Sequence, residues 1–115
     1  MAEECIFCRI VAGEIPADIV YQDEDFLAFR DIMPRAPTHV LIIPRIHITS
    51  VAELTDGQQK LAGRLIIIAK NLAKKQGIAG KGYRLVINCG PEGGQVVPHL
   101  HLHLLGGRQM DARLG

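Results

Sequence analysis

Apolar residues recur along this chain with two different periods, and the changes between them mark out its elements. From Glu4 to Val11, Ile6, Ile10 and Val11 fall near helical spacing with Phe7 beside them, and Gly13 supplies a stop, which predicts a short N-terminal helix. The stretches Asp18–Gln22 and Phe26–Arg30 are rich in branched and aromatic residues. Asp23-Glu24-Asp25 parts them, so two strands around a tight turn are expected. Pro34, Arg35, Ala36 and Pro37 interrupt any regular element, and His39–Pro44 follows as an apolar run bounded by prolines, the mark of a buried strand.

Ser50 with Glu53, and Thr55 with Gln58, have capping-box spacing; Leu61, Leu65, Ile68, Ala69 and Leu72 then line one side of a helix that ends near Gly77. Tyr83–Cys89 has the composition of a strand, Gly90-Pro-Glu-Gly-Gly94 breaks it, and His99–Leu105 alternates strictly. Five strands on short connections around one long and one short helix predict an α+β domain with a five-stranded antiparallel sheet. No internal repeat or linker divides it, so residues 1–115 are expected to form a single domain. A sheet this small leaves an edge exposed, which predicts pairing with a second copy as a two-fold homodimer.

Composition narrows the classes of function. Of the 115 residues 48% are hydrophobic and 22% charged, a balance that folds. Thirteen Lys and Arg against twelve Asp and Glu leave a net charge of +1, too little to neutralise a run of nucleic-acid phosphates. The apolar run Leu65–Ala69 is far shorter than the roughly 20 residues that cross a bilayer, so no membrane span is expected. The acidic opening Met-Ala-Glu-Glu does not fit a secretory signal, which makes the cytoplasm the expected compartment. Cys5 and Cys8 have the two-residue gap used by metal and redox sites, whereas Cys89, in an apolar stretch, reads as a small core residue.

Three of the five histidines, His99, His101 and His103, alternate with Leu100, Leu102 and Leu104. A period of two belongs to a strand, so the imidazoles are expected on one face, successive ones about 6.6 Å apart, with the leucines buried against the long helix. Polar alternation on a half-exposed strand needs no function by itself. The adjoining Gly93-Gly94, however, lets backbone approach a ligand and can turn successive N–H groups into an anion-binding nest.

Gly93-Gly-Gln95, His99-Leu-His-Leu-His-Leu-Leu105 and Gly106-Gly-Arg108 together resemble the signature of the histidine-triad superfamily. Ile15-Pro-Ala17, Phe29-Arg-Asp-Ile32, Ala36-Pro-Thr-His39, Ile43-Pro44, Gly82-Tyr-Arg84 and Asn88 extend the likeness over nearly the whole chain, most closely to the histidine triad nucleotide-binding branch. The resemblance implies a histidine-triad-like fold whose sheet joins that of a second copy into one continuous sheet. It also implies a hydrolase of nucleoside phosphoramidates and related adenylates, working through a covalent nucleotidyl-histidine intermediate. A purine nucleotide such as AMP is the implied partner, and no cofactor is needed for catalysis.

In that scheme His101 is the nucleophile, since an imidazole is often enough unprotonated near neutral pH to attack phosphorus. His103 and His39 donate to the non-bridging phosphate oxygens and Asn88 assists. Asp31 accepts from the ribose hydroxyls. Ile6, Phe7, Ile10, Phe29 and Ile32 match the positions that sandwich the base, though composition alone reads each as core. Gly94, Gln95 and Val96 complete the implied nucleotide contacts. Val96 departs from the pattern, standing where relatives usually carry a hydroxyl for the leaving group. Pro98 replaces an aromatic residue, and the tail after Gly107 is short and lacks tryptophan.

Cys5 and Cys8 supply half of a tetrahedral zinc site that His47 and His99 could complete; two buried free thiols are the alternative. The resemblance favours zinc, in a structural role, because four protein ligands leave no position for a water nucleophile. Two further functions fit the same residues: a dinucleoside polyphosphate hydrolase, and a nucleotide-binding or scaffold protein with little turnover, the latter kept open by Val96.

Overall fold

A computed structural model describes residues 4–115, which run as α1 (Ile6–Val11), β1 (Ile19–Gln22), β2 (Phe26–Arg30), β3 (Thr38–Pro44), α2 (Gln59–Lys75), β4 (Tyr83–Val86) and β5 (Leu102–Gly106). The five strands form one antiparallel sheet in the order β1-β2-β3-β5-β4, as the α+β expectation required. Period-two burial decides which residues meet on each face. Phe26, Ala28, Val40, Ile42, Leu102 and Leu104 pack with Leu65, Ile68, Ala69 and Leu72 of α2. Leu27, Phe29, Leu41 and Ile43, on the opposite face, pack with Cys5 and Phe7 around α1.

The entry to α2 is longer than its capping signals suggest. Ser50 Oγ accepts the Ala52 N–H at 3.2 Å and opens a 3₁₀ turn over Val51–Glu53; Gln58 Oε1 accepts the Thr55 N–H at 2.9 Å around a second, Asp56–Gln58. At the other end Gly77 takes a φ of +76°, and the Ile78 N–H reaches back to the Ala73 carbonyl at 3.0 Å, closing the helix with a left-handed glycine. No helix among the described residues is long and apolar enough to cross a membrane.

Two strand boundaries differ from the sequence pattern. β4 stops at Val86 instead of continuing to Cys89, because Asn88 turns to the glycine loop and donates from Nδ2 to the Gly93 carbonyl at 2.7 Å. Cys89 is consequently exposed and not a core residue. β5 begins at Leu102, and the chain before it leaves the ladder: the Leu100 N–H bonds the Ile48 carbonyl at 2.6 Å. The alternation survives the loss of pairing, since Leu100 stays buried with the α2 core while His99 and His101 pack against Phe7.

Candidate active site

His101 is 6% exposed, and its Nδ1 lies 2.7 Å from the carbonyl oxygen of His99. A carbonyl only accepts, so Nδ1 carries the hydrogen and the lone pair of the neutral ring is on Nε2. The ring is wedged edge-to-face on Phe7, with centroids 5.3 Å apart, and stands 4.9 Å from the ring of His103. Phe7 in turn packs on Phe29 at 5.4 Å. The N-terminal helix thus backs the imidazole row directly.

Sheet register brings His39 to the row. His39 pairs with Leu105 and Leu41 with His103, which places His39 and His103 diagonally on one face. The Arg35 N–H donates to His39 Nδ1 at 3.1 Å, so a neutral His39 bears its hydrogen on Nε2, 2.9 Å from His103 Nδ1. His103 Nδ1 accepts there, and its own hydrogen falls on Nε2. Asp31 Oδ2 flanks His39 Nε2 at 3.5 Å, while Asp31 Oδ1 accepts the Met33 N–H at 2.8 Å. Burial, then the neighbouring His101 and His39, push His103 down to about 4; burial also lowers His39, against the pull of Asp31. Both rings are neutral donors at neutral pH.

The glycine loop differs from the expected nest. The Gly94 N–H bonds the Pro91 carbonyl at 3.1 Å and the Gln95 N–H bonds the Gly90 carbonyl at 3.0 Å, so both amides close the loop's own turns. Gly93 is required for packing: a Cβ there would lie 2.2 Å from the Cys89 carbonyl oxygen. Gln95 holds the loop in place, accepting the Gly90 N–H at 2.9 Å and donating to the carbonyls of Thr49 at 2.7 Å and Val97 at 3.0 Å. Of the other residues expected at the nucleotide, Phe7 and Phe29 are buried, whereas Ile6, Ile32 and Val96 are exposed at 47%, 93% and 89%. Ile10 is half-buried. The surface hollows of about 260 Å³ between β1 and α2 and beside His47 are not lined by His101 or His103.

The remaining histidine of the row faces another chemistry. His99 is fully buried and its Nε2 donates to the Pro44 carbonyl at 2.8 Å, which directs the Nδ1 lone pair at Cys5 Sγ, 3.3 Å away, and Cys8 Sγ, 3.5 Å away. His47 Nδ1 lies 3.2 Å from Cys8 Sγ. All four ligand atoms fall within 4.8 Å of one another. Burial and Cys5 push the Cys8 thiol up to about 11. Two sulfurs, two imidazole nitrogens and a carbonyl behind one of the rings form a set that fits tetrahedral zinc. The atoms of Asp31, His39 and His103 are as close together, but the Arg35 N–H makes His39 Nε2 a donor, which suits a hydrogen-bond relay. Neither that N–H nor the Pro44 carbonyl has a side-chain signal in the sequence.

Known proteins resemble this chain in sequence and in structure. A purine nucleoside phosphoramidase of Escherichia coli (strain K12) is 52% identical over 114 residues, covering 99% of this chain and 96% of that protein. A 14 kDa zinc-binding protein of Zea mays is 51% identical over 108 residues, 92% of this chain and 84% of that one. The crystal structure of a HIT family hydrolase from Legionella pneumophila Philadelphia 1 superposes with a TM-score of 0.95 at 52% identity, covering 97% of this chain and all of that one. The family model described as HIT domain matches residues 12–110, and the chain belongs to that family.

Proposed function

We propose that this protein hydrolyses purine nucleoside phosphoramidates and related adenylates through a nucleotidyl intermediate on His101. The observation that carries the reading is the fixed tautomer of His101, whose Nδ1 is tied to the His99 carbonyl at 2.7 Å and whose Nε2 keeps its lone pair. Nε2 attacks the α-phosphorus, the bond from phosphorus to the leaving nitrogen breaks, and the amine departs with a proton delivered by water, since Val96 has no hydroxyl to supply one. Water then attacks the same phosphorus, the bond to His101 breaks, and a nucleoside monophosphate is released. His103 Nε2–H, backed by His39, donates to the phosphate oxygens as charge shifts onto them.

Asp31 accepts from the ribose, and the exposed Ile6 and Ile32 with half-buried Ile10 offer the base an apolar surface backed by Phe7 and Phe29. Asn88, Gly94 and Gln95 shape the loop beside the phosphate, and Val96 places a methyl surface where the leaving group exits. The E. coli phosphoramidase supports the substrate class. Cys5, Cys8, His47 and His99 would hold zinc, which when bound cross-links α1 to the strand ends; the Zea mays zinc-binding protein supports this. Thiols kept free for a metal favour a reducing compartment, the cytoplasm. The active unit is a homodimer, and neither nucleic acid nor a membrane is its partner.

Turnover of a purine nucleoside phosphoramidate beside a dinucleoside polyphosphate tests the reading. Faster release of nucleoside monophosphate from the former, lost in His101→Ala, is expected. Preference for the polyphosphate, or hydrolysis that survives the substitution, contradicts it.

A further inference from the structure

The Gly107-Arg108 corner after β5 touches none of the groups that act on the phosphate. Gly107 has a φ of +94°, and a Cβ there would lie 2.9 Å from Pro37 Cβ, so a glycine lets the corner close on the segment before β3. This approach brings Arg108 onto the Arg35 carbonyl, which accepts from Nε at 3.1 Å and from Nη2 at 3.0 Å. Arg35 is the same residue whose N–H donates to His39 Nδ1 at 3.1 Å. On either side of it Pro34 and Pro37 have no N–H to donate.

We infer that Arg108 is a positioning residue: its forked grip on the Arg35 carbonyl holds the Arg35 N–H against His39 Nδ1 and so sets the tautomers of His39 and His103. The inference rests on the reading of that pair as phosphate donors. With the hydrogen on His39 Nδ1, Nε2 becomes an acceptor, and His103 Nδ1 must then donate across the 2.9 Å contact. His103 Nε2 would be left with a lone pair, which repels a phosphate oxygen that its hydrogen would have stabilised. One backbone amide therefore decides whether the relay ends in a donor or an acceptor, and Arg108 holds the residue that carries it.

The test compares unaltered protein with Arg108→Gln, Arg108→Lys and the neighbouring control Gln109→Ala, by imidazole ¹⁵N shifts in the resting protein and by kcat and KM. In unaltered protein His39 Nδ1 is expected in the acceptor range and Nε2 in the protonated range. Arg108→Gln mixes the two tautomers and lowers kcat about tenfold or more with KM changed less than about twofold, the pattern of a misplaced donor. Arg108→Lys, which keeps the charge but cannot fork, recovers part of both, and Gln109→Ala matches the unaltered protein. Unchanged His39 shifts in Arg108→Gln overturn the inference, whatever happens to the rate. Should that variant not fold, the shifts of Arg108→Lys decide alone: partial mixing supports the clamp and none overturns it. The shifts need no substrate, so a failure to find nucleotide on His101 would sink the proposed reaction and leave this result to be judged separately.

Discussion

The hydrogen bond from His101 Nδ1 to the preceding histidine's carbonyl and the one from the Arg35 N–H to His39 do opposite things, the first exposing a lone pair and the second generating a donor. The imidazoles of His39 and His103 bind protons less readily in the folded chain than the ordinary value of 6.5, and His103 falls to about 4. As pH falls through about 6.5 the unfolded chain takes up protons that the folded one refuses, so stability is full above that value and is lost toward pH 4. Urea unfolding at pH 7.5 and pH 5 should differ by on the order of 1–2 kcal/mol, with the lower value in acid; equal midpoints would contradict the neutral relay. At 89% exposure, Val96→Ser should change stability by less than about 0.5 kcal/mol. It should speed turnover of phosphoramidates with strongly basic amine leaving groups while leaving activated ones unchanged, and no such selectivity in kcat would show that position 96 does not reach the leaving group. His101 and His103 were plain in the sequence through their alternation with leucine, and His39 and Val96 through the likeness to the histidine-triad pattern. The ring tautomers were not, because backbone groups set them.

Among the elements, the histidine row shows how a correct pattern can sit on an incorrect boundary. Alternation alone reads His99–Leu105 as strand, yet pairing begins at Leu102, and the same side-chain facing is produced before it by the bonds of Leu100 to Ile48 and of His99 to Pro44. The end of β4 was hidden for a related reason: Asn88 suits a strand end by composition, and only its bond to Gly93 reveals the turn. The glycine loop looked like a nest, but the Gly94 and Gln95 amides close its own turns. The Cys5, Cys8, His47 and His99 set joins three elements: α1, the connection after β3 and the segment before β5. Cys8→Ser should abolish stoichiometric zinc in the purified protein and lower Tm by several degrees, since the metal contributes only to the folded state. Absence of zinc from the unaltered protein, with Tm insensitive to a chelator, would leave the pair as two free thiols.

For the molecule as a whole, the exposed edges are β1 and β4. A register shift between Ile19 and Tyr21 irregularises β1, which discourages strand addition there, whereas β4 is regular. On α2, Ile66 and Ile67 are 49% and 53% exposed. Burying them against a second copy, with β4 joined to its symmetry mate, would produce the continuous sheet that the family likeness implies. Ile67→Glu should therefore shift sedimentation at micromolar concentration from dimer to monomer, and an unaltered protein that is already monomeric would refute the assembly. If His101 Nε2 is the nucleophile, the nucleotide must pass through that ring, and a bond from phosphorus to nitrogen survives alkali. Quenching turnover of a purine nucleoside phosphoramidate in alkali and mapping the modified peptide should find one nucleotidyl group on His101 and none in His101→Ala. Steady turnover with the group on another side chain, or with no adduct at any time, would show that His101 is not the nucleophile.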